Sequence, residues 1–162
     1  MIARPRDPSG PRYRAERKSV LMVTGALARG GAERQMISLV AGLLREGYHV
    51  RILELQGVAP GQSSFKDEIA ALGVPLHHAS EFPPSGAESG NYGTSLLLDA
   101  FASILPPDTA ALAGKVADAI RRLRPSVVHC WSDFSNMVSG FVAAYLAVPG
   151  IILGLRVMPP PC

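Results

Sequence analysis

Residues 20–34, VLMVTGALARGGAER, give the strongest indication of the fold of this chain. The run Val20 to Val23 is aliphatic, as in a buried strand, and Gly25, Gly30 and Gly31 then indicate a loop. A helix follows, because apolar residues recur at steps of three and four positions: Met36, Leu39, Val40, Leu43 and Leu44. A strand that leads through a glycine-rich loop into a helix presents free backbone N–H groups and the positive end of the helix dipole, which suit a phosphate.

The alternation of strand and helix continues along the chain. We predict further strands over residues 50–55, 74–77, 127–130 and 151–155, helices capped by Ser64 and Asp108, and a helix that begins at Asp133. Residues 80–107 are rich in Pro and Gly and predict a long loop with one short helix. This pattern predicts an α/β fold: a Rossmann-like, doubly wound parallel sheet in three layers, α/β/α, with ligands at the carboxyl ends of the strands.

Composition and charge define the predicted domain organisation. The chain has 162 residues, of which 48% are hydrophobic, enough for the core of one domain. Residues 1–18 carry a local charge of +4, and subtracting it from the formal net charge of +3 leaves −1 for the rest. We therefore expect a flexible basic arm over residues 1–18, the domain over residues 19–157 and a Pro-rich end over residues 158–162. A nearly neutral body argues against nucleic acid as a partner.

Three further classes are disfavoured by the sequence. Residues 134–155 are uncharged and long enough to span a membrane, but Pro149-Gly150 divides them into a helix-length and a strand-length piece. The two cysteines, Cys130 and Cys162, lie far apart, which argues against a disulfide framework and fits a reducing cytoplasm. His77 and His78 lack a third ligand at a recognisable spacing, so we expect no metal site.

Two familiar phosphate-binding motifs do not match the first loop. A dinucleotide fingerprint requires Gly-x-Gly-x-x-Gly, whereas Gly25 is followed five residues later by Gly30 and Gly31. A P-loop requires Lys and then Ser or Thr after its second glycine, but Gly31 and Ala32 stand there. A dehydrogenase-type NAD site and an ATPase are therefore disfavoured.

The chain does resemble the family 4 retaining glycosyltransferases, which have the two-domain GT-B fold. Residues 30–34 (Gly-Gly-Ala-Glu-Arg), the aliphatic helix and residues 46–50 are similar to that family's Gly-Gly-Ala-Glu-Arg, helix, Gly-His-Glu-Val pattern. The resemblance continues in residues 124–129 (Arg-Pro-Ser-Val-Val-His), Ser135-Asn136, residues 146–149 (Leu-Ala-Val-Pro) and Arg156. Matches in the same order and spacing over most of the chain are more specific than any single short motif.

The resemblance implies that the chain is the N-terminal, acceptor-side half of a GT-B enzyme, a retaining hexosyl-type glycosyltransferase of polysaccharide biosynthesis. The parent enzyme would transfer a sugar from a nucleotide-diphosphate sugar, without a separate cofactor, to a glycan or lipid-linked acceptor. The C-terminal domain that binds the donor is missing, so we expect a truncated domain that is inactive alone. Lipid-linked acceptors imply a cytoplasmic enzyme with peripheral contact at the inner face of the membrane.

The same resemblance assigns roles to residues at the strand ends. The loop after the first strand would approach the donor phosphates or the reacting sugar with Gly30, Gly31 and Glu33, although a carboxylate in a first helical turn is favoured by the helix dipole whatever its function. The acceptor side would be formed by Trp131, Asn136 and Arg156. For Trp131 a core aromatic is the alternative, and for Arg156 a surface ion pair.

The catalytic group is less clearly indicated. Many members of the family place a histidine shortly after the fourth strand, but residues 131–134 read Trp-Ser-Asp-Phe. Asp133 is one candidate, as a group that orients an acceptor hydroxyl or binds a proton, with a plain helix cap as the alternative. His129 is the other candidate, with a half-buried structural histidine as the alternative.

A function from another class remains open. Without a clear base and without a donor domain, the chain could be a non-catalytic doubly wound domain that binds a partner protein. Its binding surface would then be the face that meets the second domain in a GT-B enzyme.

Overall fold

The computed structural model describes residues 16, 18–83 and 103–155 of the chain. Before residue 84 the elements are β1 (Ser19–Thr24), α1 (Gly31–Arg45), β2 (His49–Glu54), α2 (Lys66–Ala71), β3 (Leu76–His78) and a 3₁₀ helix (Ala79–Glu81). After residue 102 they are α3 (Pro107–Leu123), β4 (Val127–Cys130), α4 (Asp133–Ser135), a π-helical segment (Asn136–Gly140), α5 (Phe141–Tyr145) and β5 (Gly150–Leu153). The predicted alternation of strand and helix is confirmed.

The five strands form one sheet in the order β3-β2-β1-β4-β5, and every neighbouring pair is parallel. From β1 the chain builds one half of the sheet through β2 and β3, then crosses back to place β4 on the other side of β1. At the carboxyl edge, Thr24 of β1 pairs with Glu54 of β2, and Val23 pairs with Cys130 of β4. The loops after β1 and β4 thus leave the sheet next to each other, at the point where ligands bind in doubly wound folds.

Each face of the sheet carries its own hydrophobic cluster. Successive residues of β1 alternate between the two faces: Val20 and Met22 pack with α1 and α2, while Leu21 and Val23 pack with α3 and the helical stretch 133–145. Since both faces are covered, the strands contain short apolar runs, such as residues 20–23 of β1 and residues 52–53 of β2, as is typical of parallel strands. The predicted Rossmann-like, three-layer α/β/α fold is confirmed.

Two predicted helix caps, Ser64 and Asp108, are wrong for local reasons, whereas the predicted start of a helix at Asp133 is confirmed. α2 begins at Lys66 after Phe65, which has no side-chain cap bond, so Ser64 does not cap it. Pro106 precedes α3, so Asp108 lies inside the first turn, where its charge favours the helix dipole. Ser132 caps α4 through the N–H of Ser135, and Asp133 is the first helical residue.

Some strand ends also differ from the prediction, and some predicted segments are not described. β3 and β5 end at His78 and Leu153 rather than at residues 77 and 155. Most of the predicted loop, residues 84–102, lies outside the described residues, as does most of the predicted arm and all of the Pro-rich end. Among the described residues, no helix has the length and hydrophobicity needed to cross a membrane.

Candidate functional site

The β1–α1 loop, residues 25–30, lies at the carboxyl edge of the sheet and is held by the neighbouring β2–α2 loop, residues 55–65. The backbone N–H of Gln56 donates to the carbonyl of Gly25 at 2.8 Å, which extends the β1–β2 pairing into the loop. Further along, the N–H of Phe65 donates to the carbonyl of Leu27 at 2.9 Å. The N–H of Arg29 donates to the carbonyl of Ser63 at 3.1 Å. The loop backbone is therefore fixed up to the residue before Gly30.

A buried carboxylate completes this attachment. Glu54, the last residue of β2, is 1% exposed. Its Oε1 accepts the backbone N–H of Leu27 at 2.9 Å, and its Oε2 lies 2.9 Å from Nζ of Lys66. Glu54 was not predicted as a functional residue, although an acidic residue within the otherwise apolar run Ile52 to Leu55 is a visible signal.

Gly30 and Gly31 connect the loop to α1. Gly30 precedes the helix with an extended backbone (φ −146°, ψ 170°), a conformation open to any residue, and a side chain there would meet the carboxylate of Glu33. Apart from its chain neighbours and the backbone of α1, no atom of the described residues would lie within 4 Å of a Cβ at Gly31, so these residues leave the space beside Gly31 open. The first helical N–H groups, from Gly31 to Glu33, have no intrahelical acceptor and face the same edge.

Trp131 follows β4 and is buried. Its side chain is 2% exposed and packs in the cluster under α1, and its indole Nε1 donates to the carbonyl of Ala32 at 2.9 Å. A buried indole cannot stack against a ligand, so this position favours the core interpretation of Trp131 over the acceptor contact. What the indole does is join the end of β4 to the first turn of α1.

The two catalytic candidates differ in access to this edge. Asp133 is exposed at the start of α4, directly after the cap formed by Ser132. His129 is 8% exposed within β4, and its ring centre lies 5.2 Å from that of Trp131. The burial of His129 favours the structural interpretation, whereas Asp133 has the access that an acceptor hydroxyl requires.

Asn136 was predicted to contact the acceptor, but its side-chain amide is hydrogen-bonded within the domain. Nδ2 donates to the carbonyl of Gly154 at 2.9 Å, which ties the π-helical segment to the chain leaving β5. Asn136 therefore fixes the path toward Arg156, and Arg156 itself lies outside the described residues. Glu33 is half-buried in the first turn of α1.

An open groove of about 300 Å³ lies on the α3 side of the same edge. Apolar side chains from three elements line it, namely Leu55, Leu112 and Phe134, together with the polar residues Gln56, Asp108, Thr109 and Lys115. The sequence does not indicate this groove, because its lining residues come from separate parts of the chain and meet only in the fold.

No cluster of three or more His, Cys, Asp or Glu side chains that could hold a metal occurs in the part of the chain that the structure describes. His77 pairs with Glu81, with 3.1 Å between Nδ1 and Oε2, and His78 Nδ1 lies 2.7 Å from Oγ of Ser80. Burial raises the pKa of the Cys130 thiol to about 12, so this cysteine stays protonated and is unsuited to nucleophilic chemistry.

Comparison with known proteins gives a likeness in structure alone. No model of a known protein family matches the chain, and no curated protein sequence matches it. The structure is similar to MurG of Acinetobacter baumannii, with a TM-score of 0.52 and 15% identity over 83% of this chain and 33% of MurG. CalG4, the calicheamicin glycosyltransferase, is 16% identical over 89% of this chain and 32% of its own, with a TM-score of 0.46.

The chain thus spans about a third of the length of these solved structures. At 15% identity the likeness to MurG concerns the fold alone, a five-stranded parallel sheet with flanking helices that forms a Rossmann-like α/β domain.

Proposed function

We propose that this chain is the N-terminal, acceptor-side domain of a GT-B glycosyltransferase that transfers a sugar from a nucleotide-diphosphate sugar to a glycan or lipid-linked acceptor with retention. The second domain that a GT-B enzyme uses to bind the donor would close over the carboxyl edge of this sheet. The chain alone then has little transferase activity, because it supplies only part of the donor site.

The observation that carries this proposal is the open space in front of Gly31. A glycine in a helix costs up to about 1 kcal/mol relative to alanine. Nothing among the described residues requires a glycine there, because the backbone φ is not positive and, apart from its chain neighbours and the backbone of α1, none of their atoms lies within 4 Å of the point that a Cβ would occupy. A ligand or second domain that approaches the backbone closely explains the residue.

The chemistry expected at this edge is the departure of a nucleotide diphosphate. The bond between the anomeric carbon and the diphosphate oxygen breaks, and the diphosphate leaves with the electron pair. The acceptor oxygen bonds to the anomeric carbon on the same face of the sugar and passes its proton to the departing diphosphate. The free N–H groups of Gly31 and its neighbours, with the α1 dipole, stabilise the negative charge that develops on the diphosphate.

Asp133 is the better of the two candidates for contact with the acceptor. It is exposed at the carboxyl edge, and it belongs to the same turn as Phe134, which lines the open groove. His129 would have to reach the acceptor past Trp131, whose ring lies beside it. We therefore propose that Asp133 contacts the acceptor hydroxyl and that His129 stabilises the end of β4.

The test is the substitution Gly31→Trp in the full-length enzyme that contains this domain. Release of nucleotide diphosphate from a panel of nucleotide sugars, with candidate acceptors present, is measured for the parent and the variant. We expect a loss of at least tenfold, because the indole fills the space assigned to the donor. Ser38→Trp, on the exposed side of α1, is the matched control and should retain the parent rate. An unchanged rate in Gly31→Trp would show that the loop does not meet the donor.

The alternative function, a non-catalytic domain that binds a partner protein, is favoured by one observation. Apolar side chains that are 38–55% exposed occur on β5 and on the helical stretch 133–145: Met137, Phe141, Ile152 and Leu153. Size-exclusion chromatography with light scattering distinguishes the two functions. A defined oligomer or partner complex without nucleotide-sugar binding would favour the alternative, and a dispersed monomer would count against it.

Contact with the inner face of the membrane is a further part of the proposal. The basic end of α3 supports it, since Arg122 and Arg124 are exposed, although Arg122 also pairs with Asp118 at 2.8 Å. Sedimentation with vesicles is the test: we expect binding to vesicles that contain anionic lipid, and loss of binding when both arginines are replaced by glutamine. Equal binding to neutral vesicles would contradict an electrostatic contact.

A further inference from the structure

We propose that Glu54 is a positioning residue, which sets the conformation of the β1–α1 loop and thereby the place at which Gly30 and Gly31 meet a ligand. The inference rests on the proposed function in one respect, the assignment of this loop to the donor side. Its structural part concerns the loop alone and can be tested without any substrate.

The carboxylate of Glu54 is buried. Glu54 is 1% exposed at the end of a strand whose preceding residues, Ile52 and Leu53, are fully buried and apolar. A buried charge is unfavourable unless hydrogen bonds and an opposite charge compensate it. An apolar side chain would serve the packing of β2 without this cost, so the carboxylate is explained by what it binds.

The two carboxylate oxygens of Glu54 have different partners. Oε2 faces Nζ of Lys66, the first residue of α2, which balances the charge and remains 44% exposed to solvent. Oε1 is left to accept the N–H of Leu27. This N–H belongs to a loop residue beyond the end of β1, where the sheet offers it no backbone carbonyl.

Leu27 is a fixed point of the β1–α1 loop. Its side chain is fully buried, its carbonyl accepts the N–H of Phe65, and its N–H is held by Glu54, so both sides of the residue are fixed. Gly30 follows three residues later. Without the bond to Glu54, the peptide unit that joins Ala26 to Leu27 is free to rotate. The positions of Gly30 and Gly31 relative to the sheet edge then change.

The experiment uses the 162-residue chain labelled with ¹⁵N and four variants. Glu54→Leu removes the acceptor, and Glu54→Asp shortens the side chain so that it no longer reaches Leu27. Glu54→Gln keeps Oε1 but loses the charge. Glu68→Gln is the matched control, because it removes an exposed carboxylate that pairs with Arg29 of the same loop. Amide hydrogen exchange at Leu27 and the resonances of Gly30 and Gly31 are followed, with Val23 in β1 as the internal reference.

We expect Glu54→Leu and Glu54→Asp to speed exchange at Leu27 at least tenfold and to shift the Gly30 and Gly31 resonances, while Val23 exchanges as before. Glu54→Gln should restore both readouts, and Glu68→Gln should leave them unchanged. If Glu54→Leu does not fold, the Asp and Gln variants still decide. Unchanged glycine resonances in Glu54→Asp, loss of protection in Glu54→Gln equal to that in Glu54→Asp, or a uniform rise in exchange that includes Val23 would each overturn the proposal.

A titration with uridine diphosphate separates this inference from the proposed function. We expect uridine diphosphate to shift the Gly31 amide in the parent chain and to bind about tenfold more weakly to Glu54→Asp. If the Gly31 amide of the parent chain does not respond at millimolar concentration, the donor-side assignment fails. The effect of Glu54 on the loop is judged separately, by hydrogen exchange and by the Gly30 and Gly31 resonances measured without uridine diphosphate.

Discussion

The indole Nε1 of Trp131 donates a hydrogen bond of 2.9 Å to the carbonyl of Ala32, and so links the end of β4 to the first turn of α1 across the switch point of the sheet. The exposed Asp133 follows shortly after β4, and α1 begins at Gly31, beside which the space is open. Their relative position therefore depends on a buried side chain that does not itself face the edge.

Trp131→Phe should lower the free energy of unfolding by about 1–3 kcal/mol, because the hydrogen bond to Ala32 is lost and a smaller ring leaves a cavity. Urea denaturation followed by circular dichroism measures it. Phe141→Leu, an aromatic change on the exposed side of α5, is the control and should cost less than about 1 kcal/mol. Equal effects of the two substitutions would argue against a structural role for the Trp131 bond.

Gly31→Ala should leave the stability of the domain unchanged or raise it by up to about 1 kcal/mol, because alanine is the better helix former. Gly150→Ala is the contrasting variant. A Cβ there would lie 3.0 Å from Cγ2 of Val127 and 3.4 Å from the carbonyl oxygen of Ser126, so we expect a loss of about 1 kcal/mol or more. Thermal unfolding of both variants gives the comparison, and a destabilised Gly31→Ala would mean that the domain itself requires this glycine.

Cys130 should not react with iodoacetamide at pH 8 in the folded chain, because burial raises the pKa of its thiol to about 12 and excludes the reagent. Mass spectrometry of the peptide that contains Cys130 measures the labelling, with urea-unfolded protein as the positive control. The raised pKa also means that this thiol's contribution to stability is full below its unfolded value of 9.0 and is lost as the pH rises from there toward about 12. Rapid labelling at pH 8 would contradict the buried position.

Glu81 should titrate below its ordinary value of 4.5. The backbone N–H of His78, which donates to Oε1 at 2.8 Å, is the main cause of the lowered pKa, and a hydrogen bond from His77 adds to it. The stabilisation is present above pH 4.5 and is lost as the pH falls through the lower pKa of the folded state. The carboxyl ¹³C shift, followed against pH, measures the midpoint, and Glu81→Gln identifies the signal. A midpoint at or above 4.5 would contradict the cap at the start of the 3₁₀ helix.

The order of the elements was predictable because each has a strong local pattern. The apolar run from Val20 and the three- and four-residue spacing from Met36 to Leu44 identify a strand and a helix without reference to any other part of the chain. The helix caps were harder to predict. Ser132 and Asp133 are both suitable capping residues, and the choice between them depends on the direction in which the chain leaves β4.

The site was predictable only as a location. A glycine-rich loop after the first strand indicates the carboxyl edge, and Gly31 does lie there with open space before it. The roles of single side chains were less accessible from sequence. Trp131 and His129 are both turned toward the core, because β4 is buried on both faces, and Asn136 is occupied by the carbonyl of Gly154.

Local sequence patterns were sufficient for the fold class, the order of strands and helices and the edge at which a ligand is expected, since hydrophobic periodicity and glycine placement act over neighbouring residues. Which side chains reach that edge depends instead on the assembled sheet. Glu54 and Leu27 are 27 positions apart, and Trp131 and Ala32 are 99 apart, yet both pairs are hydrogen-bonded. Such pairs depend on strand order and register, which bring distant residues together only when the whole sheet has formed.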